Sequence, residues 1–122
     1  MKKSVLYIED NTNNIRLVER LIARRVETTL HVATNAVAGQ KAAIEVRPDL
    51  ILLDNRLPDA SAAQVLSRLS SSAATTGLPV VIVTGDTDQA TADQLLALGA
   101  REIVTKPFDL NRFVEVLDRY LE

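Results

Sequence analysis

Residues 50–54 read Leu50-Ile51-Leu52-Leu53-Asp54, four apolar residues that stop on a carboxylate. A short continuous apolar run bounded by polar residues suits a strand covered on both faces, as in a parallel sheet. Its last residue, Asp54, then stands at the strand's carboxyl end, where open α/β sheets form their ligand crevices. Outward from this stretch the same pattern recurs. Val5-Leu6-Tyr7-Ile8 ends on Glu9-Asp10, Val80-Val81-Ile82-Val83 ends on Thr84-Gly85, and Ile103-Val104 ends on Thr105-Lys106-Pro107. A weaker alternation of Thr28, Leu30 and Val32 gives one further strand, on which His31, the sole histidine, is expected as an exposed or edge side chain.

Between these runs the apolar residues recur at helical spacing. Ile15, Val18, Leu21 and Ile22 form one stripe behind the polar Asn11 to Asn14, which offers N-caps. The Ala-rich segment 35–46 is helix-favouring despite Gly39, and Pro48 ends it. Val65, Leu66 and Leu69 stripe a third helix, followed by a polar loop at 70–77. Asp88 to Leu98 reads as a fourth, closed by Gly99. Asp109 caps a fifth, with Leu110, Phe113, Val114, Leu117 and Leu121 along one face. Strand and helix thus alternate five times, which implies an α/β fold with a doubly wound parallel sheet. The expected architecture is a single (βα)5 domain over residues 1–122, strand order 2-1-3-4-5, flavodoxin-like.

Composition narrows the function. Hydrophobic residues make up 47 % of the 122, so the chain can build a core. With no Trp, two Tyr and two Phe it lacks a base-stacking platform, and a net charge of -2 argues against direct nucleic-acid binding. Absent cysteine rules out a thiolate nucleophile or a Cys-ligated zinc. No apolar run reaches the roughly 18 residues that a membrane span requires. A soluble, cytoplasmic domain is expected.

In a parallel sheet all strand ends of one kind share an edge, so Glu9, Asp10, Asp54, Thr84 and Lys106 converge. Three clustered carboxylates repel one another, and a hard divalent cation such as Mg2+ relieves this. With a lysine, a hydroxyl donor and a carboxylate nucleophile alongside, the set has the parts for phosphoryl transfer through an aspartyl phosphate. Singly each residue has a plainer reading: a helix cap, a turn Asp or a solvated lysine. It is the combination that points to chemistry.

Five pieces at these spacings carry a resemblance: Tyr7-Ile8-Glu9-Asp10-Asn11, Pro48-Asp49-Leu50-Ile51-Leu52-Leu53-Asp54, Leu57-Pro58, Val83-Thr84-Gly85 and Thr105-Lys106-Pro107-Phe108. Together they resemble the receiver domain of two-component response regulators over essentially the full length, and residues 7–25 resemble the hybrid-kinase type. The resemblance implies that Asp54 accepts a phosphoryl group from a phosphohistidine on a sensor histidine kinase or histidine phosphotransfer protein. It implies Mg2+ held directly by Asp10 and Asp54, through water by Glu9, and by the backbone carbonyl of Arg56. Thr84 and Lys106 would contact the phosphoryl group, and the Lys106–Pro107 bond would be cis. The domain would catalyse only its own phosphorylation and dephosphorylation, as a monomer or weak homodimer. A downstream protein would dock on the face of helix 4, strand 5 and helix 5, which offers Arg101, Glu102, Arg112, Asp118 and Arg119.

The chain also departs from that family. Ile103 stands where an aromatic switch residue is usual, and Ala62 replaces a common Gly, which would make a strained turn less comfortable. Arg56 and Asp86 are expected to overlook the phosphoryl site and to pair across its mouth. The alternative reading is a non-phosphorylated receiver-like interaction module, which Ile103 favours and Asp10, Asp54 and Lys106 oppose. A dehalogenase-like phosphatase needs a second Asp two residues after its nucleophile, where this chain has Arg56.

Overall fold

The computed structural model describes residues 2–85, 88–105 and 110–122. Five strands alternate with five helices: β1 (Lys3–Ile8), α1 (Thr12–Ala23), β2 (Thr28–Ala33), α2 (Ala36–Val46), β3 (Leu50–Asp54), α3 (Ala62–Ser71), β4 (Val80–Thr84), α4 (Gln89–Ala97), β5 (Glu102–Thr105) and α5 (Leu110–Leu121). The strands form one parallel sheet in the order β2-β1-β3-β4-β5. This is the architecture read from the sequence.

Burial explains which strands were easy to read. Of the three strands in the interior of the sheet, β3 and β4 are buried at every residue, so their sequences are nearly unbroken apolar runs. The edge strand β2 is buried only at Ala33, with Val32 exposed and His31 partly so. Two apolar layers lie on opposite faces of the sheet. Leu6, Ile8, Ile51, Leu53 and Ile82 pack with α2, α3 and α4 through Ala36, Ala43, Val65, Leu66, Leu69 and Leu95. Val5, Tyr7, Leu50, Leu52, Val81, Val83 and Val104 pack with α1 and α5 through Val18, Leu21, Ile22, Phe113, Val116, Leu117 and Leu121.

Gly39 lies inside α2, where a glycine weakens a helix. Its reason is space: a Cβ there would fall 2.6 Å from Ile8 Cδ1, so α2 can lie this close to β1 only without a side chain. The helix ends at Arg47, in the left-handed region (φ 47°), just before Pro48. Gly99, with φ 114°, follows the C-terminus of α4.

Four expectations need correction. On α5 the buried stripe is Phe113, Val116, Leu117 and Leu121, while Leu110 and Val114 are exposed on its margin. The third helix runs to Ser71, two residues into the segment read as loop. No strained turn occurs at Ala62: Ser61 is an extended N-cap (φ -82°) in a capping box with Gln64, and Ala62 starts the helix, buried. The Arg24-Arg25 pair reads in the sequence as a solvated helix end, but the Arg25 guanidinium pairs with Asp118 at 2.8 Å and Glu122 at 3.5 Å and ties the end of α1 to α5. Asp109 lies outside the described residues.

Candidate functional site

Strand register builds the site. Ile8 lies beside Leu53, Asp54 beside Val83, and Thr84 beside Thr105. The residues that follow β1 and end β3 and β4 therefore reach the same sheet edge, on either side of the β1/β3 switch point. Glu9 is fully buried, Asp54 is 7 % exposed, Thr84 is buried, and Asp10 is exposed. One carboxylate oxygen from each of Glu9, Asp10 and Asp54 lies within 4.8 Å of the others. An open cleft of about 420 Å³ stands over them, lined by Asp10, Asn11, Asn14, Asp54, Arg56, Thr84 and Gly85. Of the residues expected here, Glu9, Asp10, Asp54, Arg56 and Thr84 come together. Lys106, Pro107, the cis bond expected between them, and Asp86 lie outside the described residues.

A buried carboxylate is costly unless hydrogen-bonded. Glu9 Oε1 accepts from Asn14 Nδ2 at 2.7 Å and from the Tyr7 hydroxyl at 3.2 Å. Tyr7 is itself fully buried on the α1/α5 face of β1, two residues before Glu9 and so on the same side of the strand. Burial first, then the Glu9 charge and hydrogen bond and the Asp54 charge, push its phenol well above the usual range, so it stays a donor. Asn14 sits in the first turn of α1, whose N-cap is Asn11, with Asn11 Oδ1 accepting from Asn14 N at 3.1 Å. Sequence reasoning missed these roles for Tyr7 and Asn14. The available signal was a polar-tipped residue inside the β1 apolar run, at period 2 from Glu9.

The donor set is all oxygen and anionic, which fits a hard divalent cation and no soft metal. The connection after β3 is closed by an antiparallel bridge between Arg56 and Ser61, which places the Arg56 backbone at the cleft. The Arg56 side chain is exposed.

Ile103 is half-buried and packs against the α2/α3/α4 layer, with no aromatic ring in its place. Its neighbour Glu102 points to the other face. Arg112 reaches Glu102 Oε1 at 3.3 Å and Arg119 pairs with Oε2. Burial pushes the Glu102 carboxyl up, but contacts from Arg119 and Tyr120 and the Arg119 and Arg112 charges outweigh it and hold it below the usual range. Four of the five charges expected to form a partner-binding rim are thus engaged in pairs within the chain, Asp118 with Arg25 included.

With this geometry in view, comparison with known proteins gives one answer. The response regulator receiver domain family matches residues 5–118. The polar-differentiation response regulator DivK of Brucella anthropi is 32 % identical over 121 residues, covering 99 % of this chain and 98 % of that one. Among solved structures, the receiver domain of a DNA-binding response regulator from Colwellia psychrerythraea 34H superposes with a TM-score of 0.91 at 21 % identity, covering 98 % of each chain. The receiver domain of the sensor histidine kinase PA1611 from Pseudomonas aeruginosa PAO1, with magnesium coordinated in its active site cleft, gives 0.85 at 21 %, covering 99 % of this chain and 98 % of that one.

The chain belongs to the response regulator receiver domain family, the phospho-accepting switches of two-component signalling. Receiver domains of this kind work with histidine kinases or phosphotransfer proteins and with downstream partners. Among the described residues, no helix is long and apolar enough to cross a membrane.

Proposed function

We propose that Asp54 is the phosphoryl acceptor and that residues 1–122 act as one receiver, in the cytoplasm. The observation that carries this is the nearly buried Asp54 carboxylate at the end of β3, in a triad with Glu9 and Asp10 beneath an open cleft. An Asp54 oxygen attacks the phosphorus of a phosphohistidine. The P–N bond breaks, its electron pair returns to the imidazole, and an acyl phosphate remains. Asp10, Asp54 and the Arg56 carbonyl would hold Mg2+, with Glu9 acting through water. Where bound, the cation offsets the carboxylate charge and draws electron density from the phosphoryl oxygens. The Tyr7 and Asn14 bonds hold Glu9 in one orientation. The Thr84 hydroxyl donates to a phosphoryl oxygen, and Lys106 supplies a positive charge at the same group. The exposed Arg56 side chain, which lines the cleft, restricts the hydrolytic water, so Arg56→Ala shortens the phosphoryl lifetime. A downstream protein reads the result on the α4–β5–α5 face.

Incubation with Mg2+ and acetyl phosphate, followed by intact-mass analysis, tests the reading. The wild type should gain one phosphoryl group, and Asp54→Asn should gain none. No gain in the wild type, or an undiminished gain in Asp54→Asn, overturns it.

A further inference from the structure

Helix α2 begins with two caps of different origin. Its own N-cap, Asn35, accepts from Ala38 N at 2.8 Å. The second comes from the connection after β3: Asp59 Oδ1 accepts from Ala36 N at 2.7 Å and Asp59 Oδ2 from Val37 N at 3.1 Å. One carboxylate therefore takes two of the N–H groups that a helix start leaves without intrahelical partners. The Ala36 bond, with smaller help from Val37, holds the Asp59 carboxyl below the usual range despite some desolvation.

Asp59 has no local reason to reach α2, since Asn35 is already a sufficient cap. What the contact joins is more informative. Asp59 sits near the tip of the segment between Asp54 and α3, whose base is the Arg56–Ser61 bridge and whose far end is the Ser61–Gln64 capping box. Leu57 and Ala60 fix this segment against the core from below. The Asp59 carboxylate fixes its tip laterally, to a helix that Gly39 lets pack tightly on β1. The backbone at Arg56 is thereby held from both directions.

We propose that Asp59 is a positioning residue for the phosphoryl-acceptor site: by tethering the β3–α3 segment to the N-terminus of α2, it sets the Arg56 carbonyl for the metal. This rests on the reading of that carbonyl as a ligand given above. Asp59 touches neither the metal nor the phosphoryl group. It acts through the backbone, as residues behind metal ligands do.

The two caps of α2 supply the control. Asn35→Ala and Asp59→Ala each remove a cap of the same helix, and each should lower the urea unfolding midpoint to a similar extent. Only Asp59→Ala also releases the segment. In calorimetric titration of the whole chain with Mg2+, Asp59→Ala should bind about 10-fold more weakly, the lower end of the range for loss of a group behind a metal ligand. Asn35→Ala should match the wild type. Asp59→Asn, which keeps an acceptor for Ala36 N but no charge, should lie closer to the wild type than Asp59→Ala. Equal weakening in Asn35→Ala and Asp59→Ala would make the effect mere destabilisation and overturn the proposal. So would equal weakening in Asp59→Asn and Asp59→Ala, which would reduce it to lost charge. If the wild type bound no Mg2+, the metal reading would fall. Amide exchange at residues 55–61 would still decide the tether: it must rise in Asp59→Ala and stay at the wild-type level in Asn35→Ala, and any other pattern overturns it.

Discussion

Replacing Gly39 by Ala sets two known effects against each other at a place where their sizes can be compared. On an open helix the change stabilises by about 0.8–1.0 kcal/mol. Here the new methyl would meet Ile8 at 2.6 Å (Cδ1), 2.8 Å (Cγ1) and 2.9 Å (Cγ2), against ~3.5–4.0 Å for ordinary carbon contacts. Ile8 cannot move aside. It is fully buried, its strand is paired on both sides at Ala33 and Leu53, and β-branching restricts its χ1. Overpacking of this kind costs about 1–3 kcal/mol, and contact with three atoms of one side chain puts it at the upper end. The net is a loss of about 2 kcal/mol, or ~8 °C in Tm for a chain of this size. Urea and thermal unfolding followed by far-UV circular dichroism would measure it. Ile8→Val removes the closest atom, Cδ1. The double variant should therefore be more stable than the sum of the single changes by about 1 kcal/mol. A neutral or stabilised Gly39→Ala, or strict additivity with Ile8→Val, would refute the close-approach argument.

Two further outcomes follow from polar groups that are buried or partly buried. Tyr7→Phe keeps the ring and removes the donor to Glu9, and should cost about 1.5 kcal/mol, the lower end for a bond to a charged group because the contact is long at 3.2 Å. The Tyr7 phenol is raised in the folded state, so its contribution is full below about 10 and is lost as pH rises toward the folded value. Alkaline unfolding curves should show this loss in the wild type and a smaller one in Tyr7→Phe. Glu102→Gln removes the charge that Arg112 and Arg119 share and should cost about 1 kcal/mol at pH 7, given half-exposed partners. The Glu102 carboxyl is lowered on folding, so its contribution is present above about 4.3 and is lost as pH falls through the folded value. The gap between wild type and Glu102→Gln in urea midpoints should therefore close in acid, and a gap that persists at pH 3 would sink the assignment.

The features legible in the sequence were those set by local burial. β3 and β4 are covered on both faces, so their residues had to be apolar throughout, and their terminal Asp54 and Thr84 stood out. The parallel sheet followed from alternation and its strand order from the known doubly wound arrangements, and with them the convergence of Glu9, Asp10 and Asp54. The capping box was also legible, as Ser61-x-x-Gln64, and reading it would have removed the concern over Ala62. The features not legible are those decided by pairs far apart in the chain. Asp59 reaches across 23 residues to Ala36, and Arg25 across 93 to Asp118. Neither partner is implied by neighbouring residues. Gly39 lies between these extremes. Its cost to the helix was visible locally, but its purpose required knowing that Ile8 lies beneath it. The α5 stripe was misread because residues 110, 113, 114, 117 and 121 and residues 113, 116, 117 and 121 both have helical spacing. Only the position of the sheet selects between them.

Ile103 bears on how an event at Asp54 can be read out. An aromatic at this position can swing, whereas a half-buried isoleucine fixed against the α2/α3/α4 layer has no ring to turn. The same strand is held on its other face by the Glu102 pairs to α5, so β5 and α5 are joined firmly. Helix α4 is different. Among the described residues α3 buries Ala62, Val65, Leu66 and Leu69, and α5 buries Phe113, Val116, Leu117 and Leu121, but α4 buries Leu95 alone. Leu98 adds a partial contact at its end, and Leu96 faces solvent. Elements with few buried apolar contacts are the ones that shift at low cost. Thr84 and Gly85 lead within a few residues to Asp88, whose side chain caps α4 by accepting from Thr91 N at 2.7 Å. On the proposed reading, in which a phosphoryl oxygen bonds Thr84, its displacement would bear on α4, which buries the fewest apolar residues of the five helices among the described residues. No rotamer at position 103 is required for that displacement, so an isoleucine there is compatible with a working switch. On that reading the signal would leave the site through α4 at the end of β4 rather than through a side chain turning on β5.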